Sequence, residues 1–398
     1  MKTVVSINLG NFGSTGRIMI GIAKTARKQG YVTYNAYPNS YRVQPKAKND
    51  IIICSTLANR INQKLAYITG MNGCFATLST MRFLRTLDRI KPDILHFHNL
   101  HNSYLNIPML FRYVKKNHIR IIWTLHDCWS FTGHCPYFTF AGCDKWKTGC
   151  GGCRQLSIYP PTCIDNTRYM WKKKKKWFTG VEDLTIVTPS HWLAGLVQQS
   201  FLAEYPVKVI NNGIDLSVFK PTESDFRERH GINQDEIMIL GVALDWSIYK
   251  GLDVFVELAN RLPDGYRIVL VGMNEKIERH LPNSIISIRR TNSVKELAEI
   301  YTAADVFVNP TRQDNFPTVN IEALSCGTPV ITFDTDGSPE IIDQSCGSVV
   351  RYGDTDSLEQ EILRLSKEGI YSHESCIKRS KKYQQDTIFQ EYVKLYES

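Results

Sequence analysis

No window of the 398 residues approaches the roughly 18 uninterrupted apolar residues that a membrane-spanning helix needs. The N-terminus, MKTVVSINLGN, passes from a short β-branched run into Gly and Asn without the apolar core of a secretory signal. A cytoplasmic location is therefore expected. Repeats at the roughly 20 to 50 residue periods of solenoids are missing, as is any low-complexity segment beyond one run of lysines. Acidic residues are in deficit, 39 against 48 Lys and Arg, which leaves a net charge of +9. Such an excess suits a polyanion, a phosphorylated small molecule or an anionic membrane surface, and does not choose among them. Part of it is local: WKKKKKWF, residues 171 to 178, sets five lysines between aromatics. Two readings apply to it, peripheral contact with anionic headgroups or a solvated helix face. Confinement of the lysines to one stretch, and a cysteine spacing unlike that of zinc fingers, argue against a nucleic-acid partner.

What is present describes a soluble folded chain, 43% hydrophobic and 22% charged. Its length exceeds one comfortable core and fits two domains. Short β-rich runs alternate with Gly- or Asn-containing turns and helical spacing, which predicts an α/β protein. TVVSINL, YVTYNAY, PDILHFHN, IRIIWTLHD, DLTIVTPS and PVKVINN are strand candidates in the first half. After a turn-rich stretch from 211 to 224 the alternation restarts with IMILGVA, YRIVLVG, SIISIRR, ADVFVNP, TPVITFD and GSVVRY. Continuous apolar strands of this kind are buried on both faces of a parallel sheet. The reading is two Rossmann-like, doubly wound domains facing a cleft, residues 1–214 and 215–378. A last helix, 379–398, carries Phe389, Tyr392 and Tyr396 on one face and is expected to return to the N-terminal domain.

Ligands of doubly wound sheets collect beyond the carboxyl ends of the strands. DNFPTVNIEALSCGTPV, residues 314 to 330, follows ADVFVNP, so Asp314 falls just past a strand and Glu322 on the next helix. Two such carboxylates can accept hydrogen bonds from sugar hydroxyls, and helix-start amides of Asn315, Phe316 and Thr318 can face a phosphate, Pro317 having none. The alternative is an Asp that caps a helix and a Glu that faces solvent. Gly10, Gly13 and Gly16 follow the first strand and precede a helix opened by Arg17, an arrangement that lets backbone approach phosphate oxygens. Ser14 and Thr15 are further hydroxyl donors there. His126 ends IRIIWTLHD, with Asp127 placed to orient it or to cap the next turn of chain. His96, His98 and His101 cluster after another strand and read as an acceptor-pocket wall rather than a metal site.

In DNFPTVNIEALSCGTPVIT the chain resembles the signature of glycosyltransferase family 4, Glu-x(7)-Glu followed by Ala-x-x-x-Gly-x-Pro-Val, with Asp in place of the first acid. GSTGR at 13–17, DILHFHN at 93–99, TLHD at 124–127, PSHW at 189–192, INNGID at 210–215, YKG at 249–251 and AADVFVNPT at 303–311 extend the resemblance over nearly the whole chain. The resemblance implies the GT-B fold and retaining transfer from a nucleoside-diphosphate sugar, without a catalytic metal. The acceptor it implies is a saccharide or polyprenyl-linked saccharide of capsule, O-antigen or exopolysaccharide synthesis. Glu322 would hold the ribose and Asp314 the donor sugar, aided by the Asn315 and Phe316 amides. Lys250 would neutralise the diphosphate, His126 would touch the donor sugar, and His98 and His101 would line the acceptor side. The arginine common in the family seven residues before that lysine is Ala243 here, leaving Arg17, Arg290 or Arg312 to replace its charge. The other readings are a nucleotide-sugar epimerase on the same fold and a non-catalytic sugar-nucleotide-binding protein.

A cysteine-rich insertion, 128–163, holds Cys135, Cys143, Cys150 and Cys153 in the spacing C-x(7)-C-x(6)-C-x(2)-C. Four thiolates suit a closed tetrahedral zinc site. The alternatives are reduced thiols packed in a loop and a redox pair at Cys150 and Cys153, with Cys128 and Cys163 as substitute ligands.

Overall fold

A computed structural model describes residues 1–40 and 47–397. The chain divides into two compact units, Met1–Asn211 together with residues from Ile388 onward, and Asn212–Thr387. The first carries a parallel seven-stranded sheet: β1 (Thr3–Ile7), β2 (Val32–Tyr37), β3 (Asp50–Ile52), β4 (Ile94–Phe97), β5 (Arg120–Thr124), β6 (Leu184–Thr188) and β7 (Val207–Val209). Their order is β3-β2-β1-β4-β5-β6-β7. The second has six parallel strands: β8 (Ile237–Val242), β9 (Tyr266–Val271), β10 (Ile285–Ile288), β11 (Val306–Asn309), β12 (Val330–Phe333) and β13 (Gly347–Val350). Here the order is β10-β9-β8-β11-β12-β13. The apolar runs become central strands because helices cover both sheet faces, and the residues of β4, β11 and β12 are buried throughout. The three-residue strand β3 has no counterpart among the runs read from sequence; it lies at a sheet edge and is only half buried.

Strand order reverses between β1 and β4 in one sheet and between β8 and β11 in the other. Loops leaving neighbouring strands in opposite directions open a crevice at such a point. The loop after β1 contains Gly10, that after β4 contains His98 and His101, and those after β8 and β11 contain Lys250 and Asp314.

Helix α1 (Gly13–Lys28) begins at Gly13, so Gly13 and Gly16 lie in its first turn rather than before it. A Cβ on Gly16 would stand 2.6 Å from the Asn11 carbonyl carbon, and that close approach is what requires glycine. The C-terminal helix, Gln385–Glu397, packs Phe389, Tyr392, Val393 and Tyr396 against Ile18 and Ile22 of α1 and against Val4, Ile94 and Ile122 of the first sheet. Burying each such side chain is worth roughly 1.5–3 kcal/mol. Gly21 of α1 makes room for the Phe389 ring, which would lie 2.2 Å from a Cβ there.

The remaining first-unit helices used below are α2 (Thr56–Thr69), α3 (Thr77–Ile90), α4 (Ile107–Asn117) and α5 (Thr167–Phe178). Helix α5 contains the lysine run, but Trp171 and Phe178 are buried in the core, so these aromatics do not form a headgroup belt. Lys174 is buried as well. Its ammonium donates to the Trp129 carbonyl at 2.7 Å and lies over the Trp129 ring. Among the described residues no helix is long and apolar enough to cross a membrane.

Candidate active site

In the second unit the loops after β8 and β11 are joined through a 3-10 turn, Ile248–Lys250. Gly251 ends that turn in the left-handed region at φ 73°, where a Cβ would meet the Pro310 carbonyl oxygen at 2.4 Å. The Arg312 amide and the Thr311 hydroxyl both donate to the Tyr249 carbonyl, at 2.9 and 3.2 Å. Arg312 donates to the Ile248 carbonyl at 2.7 Å and forms a two-pronged pair with Asp253, at 2.6 and 2.7 Å. So braced, Lys250 reaches Asp314, Nζ to Oδ2 at 2.5 Å. The Asp314 amide donates in turn to Asp336 Oδ2, 3.0 Å away.

Helix Thr318–Ser325 starts after Pro317 with no side-chain cap, so its first-turn amides are not taken by a capping side chain. Glu322, on its fifth residue, does not face solvent: it is 6% exposed, and Oε2 accepts from the Tyr301 hydroxyl at 3.2 Å. Asn315 and Phe316 are buried; the Phe316 ring packs on Tyr383 and its carbonyl accepts from Asn212. Any contribution of Phe316 to a ligand therefore comes from its backbone. Behind them Asn309 Nδ2 donates to Asn320 Oδ1 at 2.7 Å, fixing strand to helix.

Of the arginines considered as replacements for a charge at 243, Arg312 is committed to Asp253 and Ile248 and acts as a brace. Arg290 stands exposed just past β10, while Arg17 belongs to the first unit. Ala243 itself is core. A Cβ on Gly272 would lie 1.7 Å from the Ala243 carbonyl oxygen, so the backbones of the loops after β8 and β9 touch. Sequence reasoning did not single out the loop after β12. There Asp336 adopts φ 51°, and the buried hydroxyls of Thr335 and Ser338 find no hydrogen-bond partner among the described residues. TDGS was a turn signal that lay outside the carboxylate pattern.

In the first unit Asn8, just past β1, donates to the Gly10 carbonyl at 2.9 Å and accepts from the Asn99 amide at 3.2 Å, joining the two loops at the strand reversal. No side chain caps α1, whose first turn holds Gly13, Ser14 and Thr15; Arg17 is exposed on it. His98 follows β4 directly and His126 stands two residues beyond β5. Their ring nitrogens, Nδ1 and Nε2, are 3.0 Å apart, so one donates to the other. Burial, reinforced by neighbouring imidazoles, holds His98 well below the usual histidine range. Burial likewise lowers His126 to about 4 despite Asp127, so it is neutral near pH 7. His98 Nε2 is buried without a partner among the described residues.

Asp127, expected to orient His126 or to cap the next turn of chain, takes His101 Nε2 at 3.1 Å and the Trp129 amide at 2.9 Å. Burial pushes its carboxyl up, but the His101 charge and hydrogen bond and the Trp129 amide outweigh that and keep it low. His101 Nδ1 meets the Tyr159 hydroxyl of the insertion at 3.1 Å. His96 is a structural member: it bonds Tyr396 of the C-terminal helix at 2.7 Å and Thr124 at 2.8 Å.

Cys135, Cys143, Cys150 and Cys153 line one cavity of about 190 Å³ together with His134, Lys145 and Trp146. The Gly133 amide donates to Cys150 Sγ at 3.2 Å and the Gln155 amide to Cys153 Sγ at 3.4 Å. Burial raises the Cys150 thiol to about 11 and the Cys135 thiol to about 12. Among the described residues, no three His, Cys, Asp or Glu side chains are grouped to hold a metal ion as they stand. Cys128 is buried apart from that cavity, and the Cys163 thiol turns to the Tyr67 carbonyl.

Two parallel sheets with crevices at their strand reversals define the class, and solved structures agree. Sucrose-phosphate synthase from Thermosynechococcus elongatus superimposes with a TM-score of 0.72 at 16% identity, covering 100% of this chain and 98% of that one. WaaG, a glycosyltransferase of lipopolysaccharide biosynthesis, gives 0.68 at 16% over 98% and 99%. The fold is GT-B. Family models match at residues 58–218, "Glycosyltransferase Family 4", and 235–368, "Glycosyl transferases group 1". The protein named as the colanic acid biosynthesis glycosyl transferase WcaC of Escherichia coli (strain K12) is 31% identical over 299 residues, 71% of this chain and 68% of that protein. A D-inositol 3-phosphate glycosyltransferase of Mycobacteroides abscessus is 29% identical over 36% of this chain and 35% of its own length. The chain belongs to glycosyltransferase family 4, the group 1 glycosyltransferases, and is a glycosyltransferase.

Proposed function

We propose that this enzyme moves a hexose or related sugar, with retention, from a nucleoside-diphosphate sugar to a saccharide or polyprenyl-linked saccharide during cell-surface polysaccharide synthesis. The observation that carries the donor assignment is the 2.5 Å contact between Lys250 and Asp314, with Glu322 buried on the adjoining helix. One cation, two carboxylates and an uncapped helix start provide for a diphosphate, a sugar and a ribose. A related structure, Anabaena HepE in complex with UDP-glucose, has a TM-score of 0.67 at 14% identity, which supports a nucleotide-sugar donor. The WcaC and WaaG likenesses support a polysaccharide or lipopolysaccharide setting.

In the reaction the bond between the anomeric carbon and the phosphate oxygen breaks, and the anomeric carbon bonds to the acceptor oxygen on the same face. The acceptor proton passes to the leaving phosphate. Lys250 and the helix-start amides stabilise the charge that gathers on that phosphate, and no divalent cation is required. Neutral His126 accepts or donates a hydrogen bond to the donor sugar, held by His98, while His101, Asp127 and Tyr159 form the acceptor side. A panel of donors, with nucleotide release and product mass followed against free and lipid-linked saccharides, tests the assignment. Sugar-nucleotide conversion without acceptor would instead establish an epimerase, and binding without turnover a sensor.

We also propose that the cysteine cavity holds a structural zinc, which takes no part in the transfer. Four thiolates around a divalent ion carry a net charge of −2, and two lysines stand against them. Lys145 donates to the Gly151 and Gly152 carbonyls of the Cys150–Cys153 loop, and buried Lys174 feels the Cys150 and Cys135 thiols. The two amide-to-sulfur bonds favour thiolates as well. Purified protein that has met no chelator should contain about one equivalent of zinc, and Cys150→Ser should lose it; less than about a tenth of an equivalent in the wild type rejects the site.

A further inference from the structure

Helix α2 is built inside out. At about 100° per residue, Leu57, Ile61, Leu65 and Ile68 fall within one stripe about 80° wide, and Asn59, Asn62 and Ala66 fall opposite. A helix on a soluble domain turns such a stripe to the core. Here Asn59, Asn62 and Ala66 are the buried residues, whereas Leu57, Ile61, Leu65 and Ile68 are 70, 52, 40 and 46% exposed. Half-buried Gln63 donates to Asn102 at 3.0 Å and ties the helix to the loop after β4, while buried Asn59 Oδ1 finds no hydrogen-bond partner among the described residues. Rotation to bury the leucines would break these contacts, so the exposure is set by the fold.

The apolar surface continues at the end of the helix. The Cys163 amide donates to the Tyr67 carbonyl at 3.0 Å and Asn166 Nδ2 to the Thr69 carbonyl at 2.7 Å, which holds half-exposed Ile164 beside it. Leu78, in the first turn of α3, is 71% exposed. The charge on α2 and on α3 as far as Leu87 is basic, while exposed Asp165 stands next to Ile164 and exposed Asp88 follows on α3. Residues 51 to 87 contain no Asp or Glu, and their Arg60, Lys64, Arg82 and Arg85 are all exposed.

We propose that the outward face of α2 docks on an anionic lipid bilayer, the helix lying in the headgroup plane with its Leu and Ile side chains inserted and Arg60 and Lys64 at the phosphate level. Exposed aliphatic side chains gain by leaving water, and the basic side chains of α2 and α3 add attraction to negative lipid. An ordinary protein partner would leave the basic charge of these two helices without a reason. The proposal does not depend on the donor assignment. It places lipid contact on α2 instead of on the lysine run of α5, whose flanking Trp171 and Phe178 are buried.

Flotation of the full chain with vesicles tests this, using phosphatidylcholine alone and phosphatidylcholine with about one-third phosphatidylglycerol. The wild type should float with the anionic vesicles and only weakly with the neutral ones. Ile61→Glu/Leu65→Glu and, separately, Arg60→Glu/Lys64→Glu should each reduce partitioning at least about tenfold with unchanged circular dichroism. Donor binding, followed by calorimetry on the same preparations, should be unaffected, so a wrong donor assignment and a wrong membrane surface give different results. Failure of the wild type to float, flotation of both variants equal to that of the wild type, or a wild-type dimer dispersed by Ile61→Glu/Leu65→Glu would each overturn the proposal, the last by showing a second copy on this face.

Discussion

Lys250 Nζ lies 2.5 Å from Asp314 Oδ2, so the cation assigned to the diphosphate is already held by the carboxylate assigned to the sugar. The pair is partly solvated, with 35 and 20% of the two side chains exposed, and its share of stability is under about 1 kcal/mol. Lys250→Ala should therefore fold normally while kcat falls by about 10²–10³, the usual cost of one lost charge-stabilising donor. Steady-state kinetics beside a thermal melt check both halves; an undiminished kcat would remove Lys250 from the reaction.

Glu322 separates two roles. Glu322→Gln keeps an acceptor for the Tyr301 hydroxyl, whereas Glu322→Ala leaves that buried hydroxyl without it, at a cost of about 1–3 kcal/mol. Both substitutions should weaken binding of the nucleoside diphosphate by roughly tenfold or more, as loss of a charged hydrogen bond to ribose does. Only the alanine variant should also lower Tm. Calorimetric titration and melting distinguish them, and full affinity in Glu322→Gln would exclude ribose contact.

Arg312 positions the Lys250 turn through Ile248 and Asp253 without being assigned any contact with donor. Arg312→Ala and Asp253→Ala should each lower kcat/KM by roughly tenfold, and the double variant should be little worse than either, because the two act as a unit. Full additivity in this cycle would show that Arg312 acts on its own.

The buried histidines make stability depend on pH. Burial lowers His96 to about 3 and both His126 and His134 to about 4. Each has its folded pKa below the unfolded value near 6.5, so between about pH 6.5 and 4 the unfolded chain binds more protons. Stability must then fall as pH falls through that window, by on the order of 1 kcal/mol per histidine per pH unit. All three lie in the first unit, so calorimetry should show its transition moving down from about pH 6.5 to about 5 while that of the second unit moves much less. Parallel movement of both transitions would mean that these imidazoles are not the cause.

Strands such as IMILGVA, ADVFVNP and TPVITFD were legible because a parallel sheet covered on both faces demands continuous apolar runs, and their shortness and β-branched content set them apart from buried helices. The placement of Asp314 past a strand and of Glu322 on the next helix was legible through motif spacing, since a loop beyond a strand and the first turns of a helix stand at fixed distances along the chain, whereas Lys250 came only from the family resemblance. Three-residue β3 was not, being too short for a pattern, and neither was the Thr335–Ser338 loop, whose place beside Asp314 comes from β12 lying next to β11. The partner of Asp127 was beyond reach for the same reason. His101 and Tyr159 are far from it in sequence, and only the β4–β5 pairing and the fold of the insertion bring the three together through successive hydrogen bonds.

Local chemistry written along the chain thus determined the α/β class, the family signature and the types of residue available for a phosphate and a sugar. Tertiary structure alone decided that α2 meets solvent with its aliphatic side chains and that the lysine run of α5 has Trp171 and Phe178 turned into the core. Hydrophobic periodicity tells that a helix has an apolar stripe, but not which way the stripe turns. That direction is set by contacts distant in sequence: Asn102 and the 162–166 segment hold α2 with its Leu and Ile residues outward, while Trp129 draws Lys174 of α5 into the core.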